Sequence, residues 1–163
     1  MKSQPDILVI GVGNEYRRDD GLGLMIARAL QGTLSDVRVI EETGEGSALM
    51  EAWQEADSVI LIDAVHSGGS PGKIYRLDAR EKRIPPNFFR YSTHAFGAAE
   101  AIELARTLEE LPPRLIIYGI EGKDFEAGEG LSSEVVSAGP ELLQRVRDEV
   151  ECLKKGAGCT SYH

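Results

Sequence analysis

The sequence has little of what several classes of protein require. Only two cysteines occur among 163 residues, Cys152 and Cys159, and both lie near the C-terminus, far from other candidate metal ligands. This count argues against a disulfide framework or a zinc knuckle, so we expect free thiols in a reducing compartment. No apolar run approaches the roughly 20 residues of a membrane span, and no charged leader with a cleavage site precedes the first apolar segment. We therefore expect a cytoplasmic protein without a membrane partner.

Basic residues are also scarce. The chain has 18 Lys and Arg residues against 27 Asp and Glu, which gives a formal net charge of -9. Because the basic residues form no block, the positive surface of a nucleic-acid-binding protein is missing, and we expect no nucleic-acid partner. What is present is 42% hydrophobic residues, enough for a chain of this length to bury one core. We predict a monomer with a single domain over residues 1–155 and a flexible tail at 156–163.

The order of the apolar segments predicts an α/β fold. Apolar runs typical of strands occupy residues 6–12, 37–40, 58–62 and 115–120, and residues 73–77 indicate an edge strand. Segments with helical spacing begin at residue 20 and cover 47–53, 94–108 and 132–153, with residues 139–140 as a candidate interruption of the last. This alternation predicts a mainly parallel, twisted sheet of about five strands with helices on both faces.

Polar side chains follow the strands on one predicted rim of this sheet. Asp19 and Asp20 come after the first strand, Asp63 ends the third, and His94 opens the helix that follows residues 91–93. A carboxylate that ends an apolar strand needs a donor, a cation or a metal. Two carboxylates and an imidazole suit a divalent ion such as zinc or nickel, and they also suit acid-base chemistry. Helix capping would explain the acids equally well at this point.

The first glycine turn, residues 11–16 (GVGNEY), invites comparison with a dinucleotide-binding loop. Tyr16 replaces the third glycine of that fingerprint, and two acids crowd the start of the helix, where a pyrophosphate would meet like charge. Gly11 and Gly13 instead allow a sharp turn, and they allow the backbone to approach a neighbouring group closely.

The spacing of residues 11–14 (GVGN) and 19–23 (DDGLG) resembles the opening motif of the hydrogenase maturation proteases, which process the large subunits of nickel-iron hydrogenases. Three later segments resemble the same family in the same order. They are residues 63–65 (DAV) with Gly68 and residues 71–72 behind them, residues 92–94 (STH), and residues 119–121 (GIE) with Phe125, Gly128 and residues 130–132. The resemblance covers nearly the whole domain.

This resemblance implies a three-layer α/β/α domain and an endopeptidase. Its reaction would remove the C-terminal extension of a hydrogenase large-subunit precursor after nickel insertion, with the nickel of the substrate as the recognition element. By position, Asp20, Asp63 and His94 would contact that nickel, and a carboxylate of Asp20 or Asp63 would activate the water. The resemblance implies no permanent cofactor, although zinc or cadmium would be able to occupy the site in vitro.

Other residues of the same region are candidates for binding the substrate. These predicted contacts are Asn14, Arg17, Arg18, Asp19 and His66. Many members of the family have glutamate at the position of Asp20, so the carboxylate of this chain is one methylene closer to the backbone. Whether Asp19 or Asp20 faces the metal is open at this point.

Two other functions compete with the protease. A peptidyl-tRNA hydrolase also begins with a strand and a glycine-asparagine turn, but the Arg-His-Asn segment of that family is missing here and the net negative charge suits RNA poorly. A non-catalytic nickel-binding or docking module would use Asp20, Asp63 and His94 to hold a metal without cutting a peptide bond.

Overall fold

The computed structural model describes residues 4–85, 87–89 and 94–156. A short 3₁₀ helix at Arg18–Gly21 precedes the first α-helix. The strands are β1 (Ile7–Val12), β2 (Val37–Glu42), β3 (Ser58–Val65), β4 (Ile74–Asp78) and β5 (Arg114–Glu121), and the helices are α1 (Leu22–Leu30), α2 (Gly46–Trp53), α3 (Ala98–Thr107) and α4 (Ser133–Lys154).

The strands form one sheet in the order β2-β1-β3-β5-β4. β1, β2, β3 and β5 run parallel, and β4 joins β5 at the edge in the antiparallel direction. The prediction of a mainly parallel sheet of about five strands is therefore confirmed, and so is the edge position of the strand at 73–77. Parallel pairing brings the carboxyl ends of β1, β3 and β5 to the same rim.

Helices cover both faces of the sheet, and this confirms the three-layer α/β/α architecture. Side chains alternate along each strand, so Leu8 and Ile10 enter one core while Ile7 and Val9 enter the other. The first core contains residues of α2 and α3, and the second contains residues of α1 and α4. Every residue of β1 and β3 is buried, which explains why these strands are continuous apolar runs in the sequence.

Three of the differences from the sequence-based prediction concern the site or the helix that packs behind it. β3 continues past Asp63 to Val65, because its pairing with β5 extends as far as Val65 and Glu121. His94 does not open a helix, since α3 begins only at Ala98. The last helix is not interrupted at Pro140; its apolar face, which includes Val135 and Leu142, packs into the second core on both sides of the proline.

Cys152 is disulfide-bonded, which corrects the expectation of a free thiol at this position. Its side chain is nearly buried close to the end of α4. The predicted tail at 156–163 lies, from residue 157 onward, outside the described residues. In the described part of the chain, no helix is both long enough and apolar enough to span a membrane.

The start of α1 packs directly onto the ends of two strands. A Cβ atom at Gly23 would collide with the carbonyl oxygens of Val12 in β1 and Ile62 in β3. Gly13, with φ at 152°, likewise has no room for a side chain against the backbone of Asp20. These glycines bring the 3₁₀ helix, and with it Asp20, over the rim of the sheet.

We expect Gly23→Ala to lower the free energy of unfolding by about 3 kcal/mol, because the added methyl group must push α1 away from two strands. Urea denaturation followed by circular dichroism measures the change. Met25→Ala is the control in the same helix, since the Met25 side chain is 49% exposed, and its effect should stay within about 0.5 kcal/mol. Equal stabilities of the two variants would contradict the close contact.

Candidate active site

A cleft of about 380 Å³ lies over the carboxyl ends of β1 and β3. Asp20, Asp63 and His94 all line it, so the structure brings the three residues predicted from sequence to one place. Its other lining residues come from the loop after β1, the turn after β2 and the segments around His66, Phe89 and Phe125. The cleft is therefore built from chain segments that are distant in sequence and joined by the parallel sheet.

Asp63 is a buried acid. The groups that shift its pKa are another acid, Asp20, and the backbone N–H of Ala64. Its side chain is 8% exposed, and its Oδ1 accepts a hydrogen bond of 2.8 Å from the backbone N–H of Ala64. Burial raises the pKa of Asp63 well above its ordinary value, and the nearby charge of Asp20 raises it further. Asp63 therefore favours the protonated form at a pH where an exposed aspartate is ionised.

Asp20 has a more moderate environment. Burial raises its pKa to about 6, while the backbone N–H of Asn14 and the charges of Arg17 and His94 act in the opposite direction. As the pH rises, Asp20 therefore loses its proton before Asp63 does, because deeper burial and the charge of Asp20 both disfavour ionisation of Asp63. Two neighbouring carboxyl groups with separated pKa values supply one base and one acid.

His94 belongs to the short segment at residues 94–97, directly before α3. Phe96 of this segment accepts a hydrogen bond of 2.8 Å from the backbone N–H of Gly46. Two carboxylates and an imidazole form a donor set that zinc or nickel accepts. As arranged in residues 4–85, 87–89 and 94–156, however, no three His, Cys, Asp or Glu side chains form a group that could hold a metal ion.

Asp19 is not among the residues that line the cleft, and its predicted contact with a substrate stays a prediction. The residue is fully buried, and its carboxylate accepts hydrogen bonds from the backbone N–H groups of Lys123, Asp124 and Ser132 at 2.7–3.0 Å, and from Ser132 Oγ at 2.8 Å. Burial acts to raise the pKa of Asp19, but these donors outweigh it and the pKa is lowered. Asp19 fixes the loop after β5, and of these two adjacent acids Asp20 is the one that lines the cleft.

Of the other predicted substrate-binding residues, two line the cleft and two lie outside its lining. Asn14 lines the cleft, and its Oδ1 accepts a hydrogen bond of 2.9 Å from the backbone N–H of Tyr16. His66 also lines the cleft and stacks on Phe125 with ring centroids 4.9 Å apart. Arg17 and Arg18 lie outside the cleft lining.

The two arginines nevertheless lie near residues of the site. Arg17 influences Asp20 through its charge, and Arg18 lies 3.4 Å from Asp124 in the loop that Asp19 holds. Substrate binding by Asn14, His66 and both arginines stays a prediction.

Glu121 is a residue of this region whose role the sequence reasoning missed. It is 1% exposed at the end of β5 and accepts hydrogen bonds from the backbone N–H groups of Ser67 and Gly69, both at 2.9 Å, and from the hydroxyls of Ser67 and Tyr75. It therefore anchors the loop that follows His66. The sequence contained a signal for this role, because Glu121 is a charged residue at the end of an apolar strand. Asp63 lies two residues before the end of β3 in the same way.

Comparison with known proteins gives one consistent family. A family model described as hydrogenase maturation protease matches residues 25–149, a stretch that contains Asp63 and His94 and begins after Asp20. The hydrogenase 2 maturation protease of Escherichia coli is 30% identical over 145 residues, with 86% of this chain and 87% of that protein covered. The hydrogenase expression/formation protein HupD of Thiocapsa roseopersicina is 29% identical over 157 residues, with 93% and 67% covered.

Solved structures agree with this result. The solution structure of an endopeptidase from Escherichia coli superimposes with a TM-score of 0.75 at 29% identity, covering 86% of this chain and 89% of that one. The hydrogenase maturating endopeptidase HybD from the same organism gives a TM-score of 0.72 at 25% identity, with 90% and 92% covered.

We expect Asp19→Asn to lower the free energy of unfolding at pH 7 by about 3 kcal/mol, because an amide nitrogen would face N–H donors that now bind a carboxylate. The pKa of Asp19 is lowered by folding, so its contribution is present above the unfolded pKa and is lost as the pH falls through the folded one. Urea denaturation from pH 7 down to pH 3 should show the two proteins converging in acid. A constant difference would contradict this role.

Asp63→Asn should act in the opposite direction. Folding raises the pKa of Asp63, so the wild type is penalised as the pH rises above the unfolded value near 4, and the neutral amide removes this penalty. We expect the variant to be more stable by about 0.5–2 kcal/mol at pH 8, a typical gain at a strained functional position, and nearly equal to wild type at pH 4. The same denaturation series measures it, and a variant that is less stable at pH 8 than at pH 4 relative to wild type would refute the buried-acid interpretation.

Proposed function

Because the chain belongs to the hydrogenase maturation protease family and is thus an endopeptidase, we propose that it removes the C-terminal extension of a nickel-iron hydrogenase large-subunit precursor. The cut follows nickel insertion, and the nickel is part of the substrate. The observation that carries this proposal is that Asp20, Asp63 and His94 line a single cleft at the carboxyl end of the sheet.

Nickel bound in the precursor acts as the recognition element. Carboxylate oxygens and an imidazole nitrogen of the protease would contact the metal at positions that the precursor leaves open. The protease needs no resident metal for this, and zinc or cadmium would be able to occupy the same ligands in vitro. A metal delivered by the substrate explains how processing can wait for nickel insertion.

The separated pKa values of the two acids support a division of labour in hydrolysis. The ionised carboxylate of Asp20 accepts a proton from water as the water oxygen attacks the carbonyl carbon of the scissile bond. Asp63 would contact the nickel of the precursor, and this metal together with neighbouring hydrogen-bond donors would stabilise the developing oxyanion. When the C–N bond breaks, the leaving amine takes up the proton that Asp20 accepted from water, and Asp20 is again ionised.

The walls of the cleft support binding of an extended peptide. Tyr16, which is 62% exposed, lines the cleft together with the stacked rings of His66 and Phe125. Asn14 contributes polar contacts, and the charges of Arg17 and Arg18 lie close enough to steer an acidic tail.

We further propose that the protein acts as a monomer in the cytoplasm, where the precursor is assembled.

The proposal predicts that Asp20→Asn lowers the rate of precursor processing at least a thousandfold, because the amide cannot accept the proton of water. Purified protease is mixed with nickel-loaded and nickel-free precursor, and the shortened large subunit is followed by mass spectrometry. The wild type should cut the nickel-loaded precursor alone. Asp36→Asn is the matched control, since Asp36 is exposed and precedes β2 at the opposite rim of the sheet.

Two results would overturn the proposal. Retained cleavage by Asp20→Asn would remove this residue from the chemistry. Co-elution of wild-type protein with the nickel-loaded precursor without any cut would identify a docking module instead of a protease for this substrate.

A further inference from the structure

The turn at residues 43–46, between β2 and α2, packs against the segment that carries His94. The ring of Phe96 occupies the space that a side chain at Gly46 would fill, and the Gly46–Phe96 hydrogen bond joins the two backbones. Gly44 has φ at 98°, and the Cδ2 atom of His94 lies 4.0 Å from the position that a Cβ of Gly44 would occupy. The imidazole therefore lies directly beside this turn.

The carboxylate of Glu45, in the middle of this turn, is held in place. Its Oε1 accepts hydrogen bonds from the backbone N–H of Ser47 at 3.0 Å and from Ser47 Oγ at 2.6 Å, and its Oε2 accepts one of 2.9 Å from the N–H of Ala48. The Ser47 hydroxyl, these N–H groups and the charge of His94 lower the pKa of Glu45, while its slight burial acts against them. Glu45 thus places a fixed negative charge in the turn that lies beside the His94 ring.

The backbone at His94 belongs to no helix or strand. The residue lies in a bend, four positions before α3 begins at Ala98. Ring orientation decides which imidazole nitrogen reaches a metal, and histidines that bind metals are usually oriented by a carboxylate or carbonyl next to the ring. Asp20 lies on the cleft side and is a proposed ligand itself.

We propose that Glu45 is a positioning residue for His94. Its carboxylate, anchored at the start of α2, attracts the imidazole and, with the packing of Gly44 and Phe96, restricts the ring to one orientation in the cleft. The inference rests on the proposed function, in which His94 contacts the nickel of the precursor. It adds a residue from the turn after β2, which was not part of the predicted site.

Capping of α2 is the competing explanation for Glu45, and two variants separate it from positioning. Glu45→Asn keeps a side chain that is among the best helix N-caps but removes the charge. Ser47→Ala keeps the charge of Glu45 and removes one of its hydrogen bonds. If capping is the whole role, Ser47→Ala should be at least as harmful as Glu45→Asn. If positioning is the role, only Glu45→Asn should disturb His94.

The first measurement uses the full-length protein without precursor. Long-range ¹H–¹⁵N spectra of the histidine rings at pH 8, where an ordinary imidazole is neutral, report the tautomer of His94. We expect one dominant tautomer in wild type and in Ser47→Ala, and a mixture in Glu45→Asn. An unchanged His94 spectrum in Glu45→Asn, or equal changes in both variants, overturns the proposal. Glu45→Gln provides a second uncharged variant if Glu45→Asn does not fold.

The second measurement is processing of nickel-loaded precursor. We expect Glu45→Asn to lower kcat/KM about tenfold, the low end of effects for residues that orient metal-binding histidines, and Ser47→Ala to stay within about twofold of wild type. A changed tautomer without any loss of processing overturns the link to the reaction. If the wild type itself leaves the precursor intact while the tautomer still depends on Glu45, the proposed function fails and the positioning of His94 stands.

Discussion

The site depends on the close contact between the start of α1 and the carboxyl ends of β1 and β3. Because Gly23 has no side chain, the helix approaches the carbonyl oxygens of both strands, and the 3₁₀ turn before it lies over the rim. This contact places Asp20 beside Asp63, whose own position is set by the pairing of β3 with β5. The buried sheet is rigid, and the contact at Gly23 holds Asp20 in a fixed position relative to Asp63 on this sheet.

The buried acids around the cleft divide into two kinds. Asp19 and Glu121 are surrounded by N–H and O–H donors, their pKa values are lowered, and each holds a loop in place. Asp63 and Asp20 have few donors, and their pKa values are raised. Protein stability gains from the first kind and loses from the second, as expected where a reactive site is supported by well-satisfied surroundings.

The strands were predictable from the local sequence, and the convergence of Asp20, Asp63 and His94 followed from the order of those strands. Strands buried on both faces are continuous apolar runs, and parallel strands end on one rim, so polar residues after them meet. The assignment between Asp19 and Asp20 was not predictable, because the donors that bury Asp19 lie more than 100 positions away, at Lys123 and beyond. The place of His94 before α3, and the approach of Glu45 to it, likewise depend on packing between segments that sequence spacing does not reveal.

The loop after β3 depends on one carboxylate that lies outside it. Glu121 binds backbone groups of Ser67 and Gly69, so the path of this loop is fixed by β5 and only in small part by the loop's own side chains. Residues 67–70 are exposed, yet Gly68 has φ at 88° and a side chain at Gly69 would collide with Glu121, so exposure does not make this loop free to vary. A substitution of Glu121 would therefore change the path of a loop that lies more than 50 positions earlier in the chain.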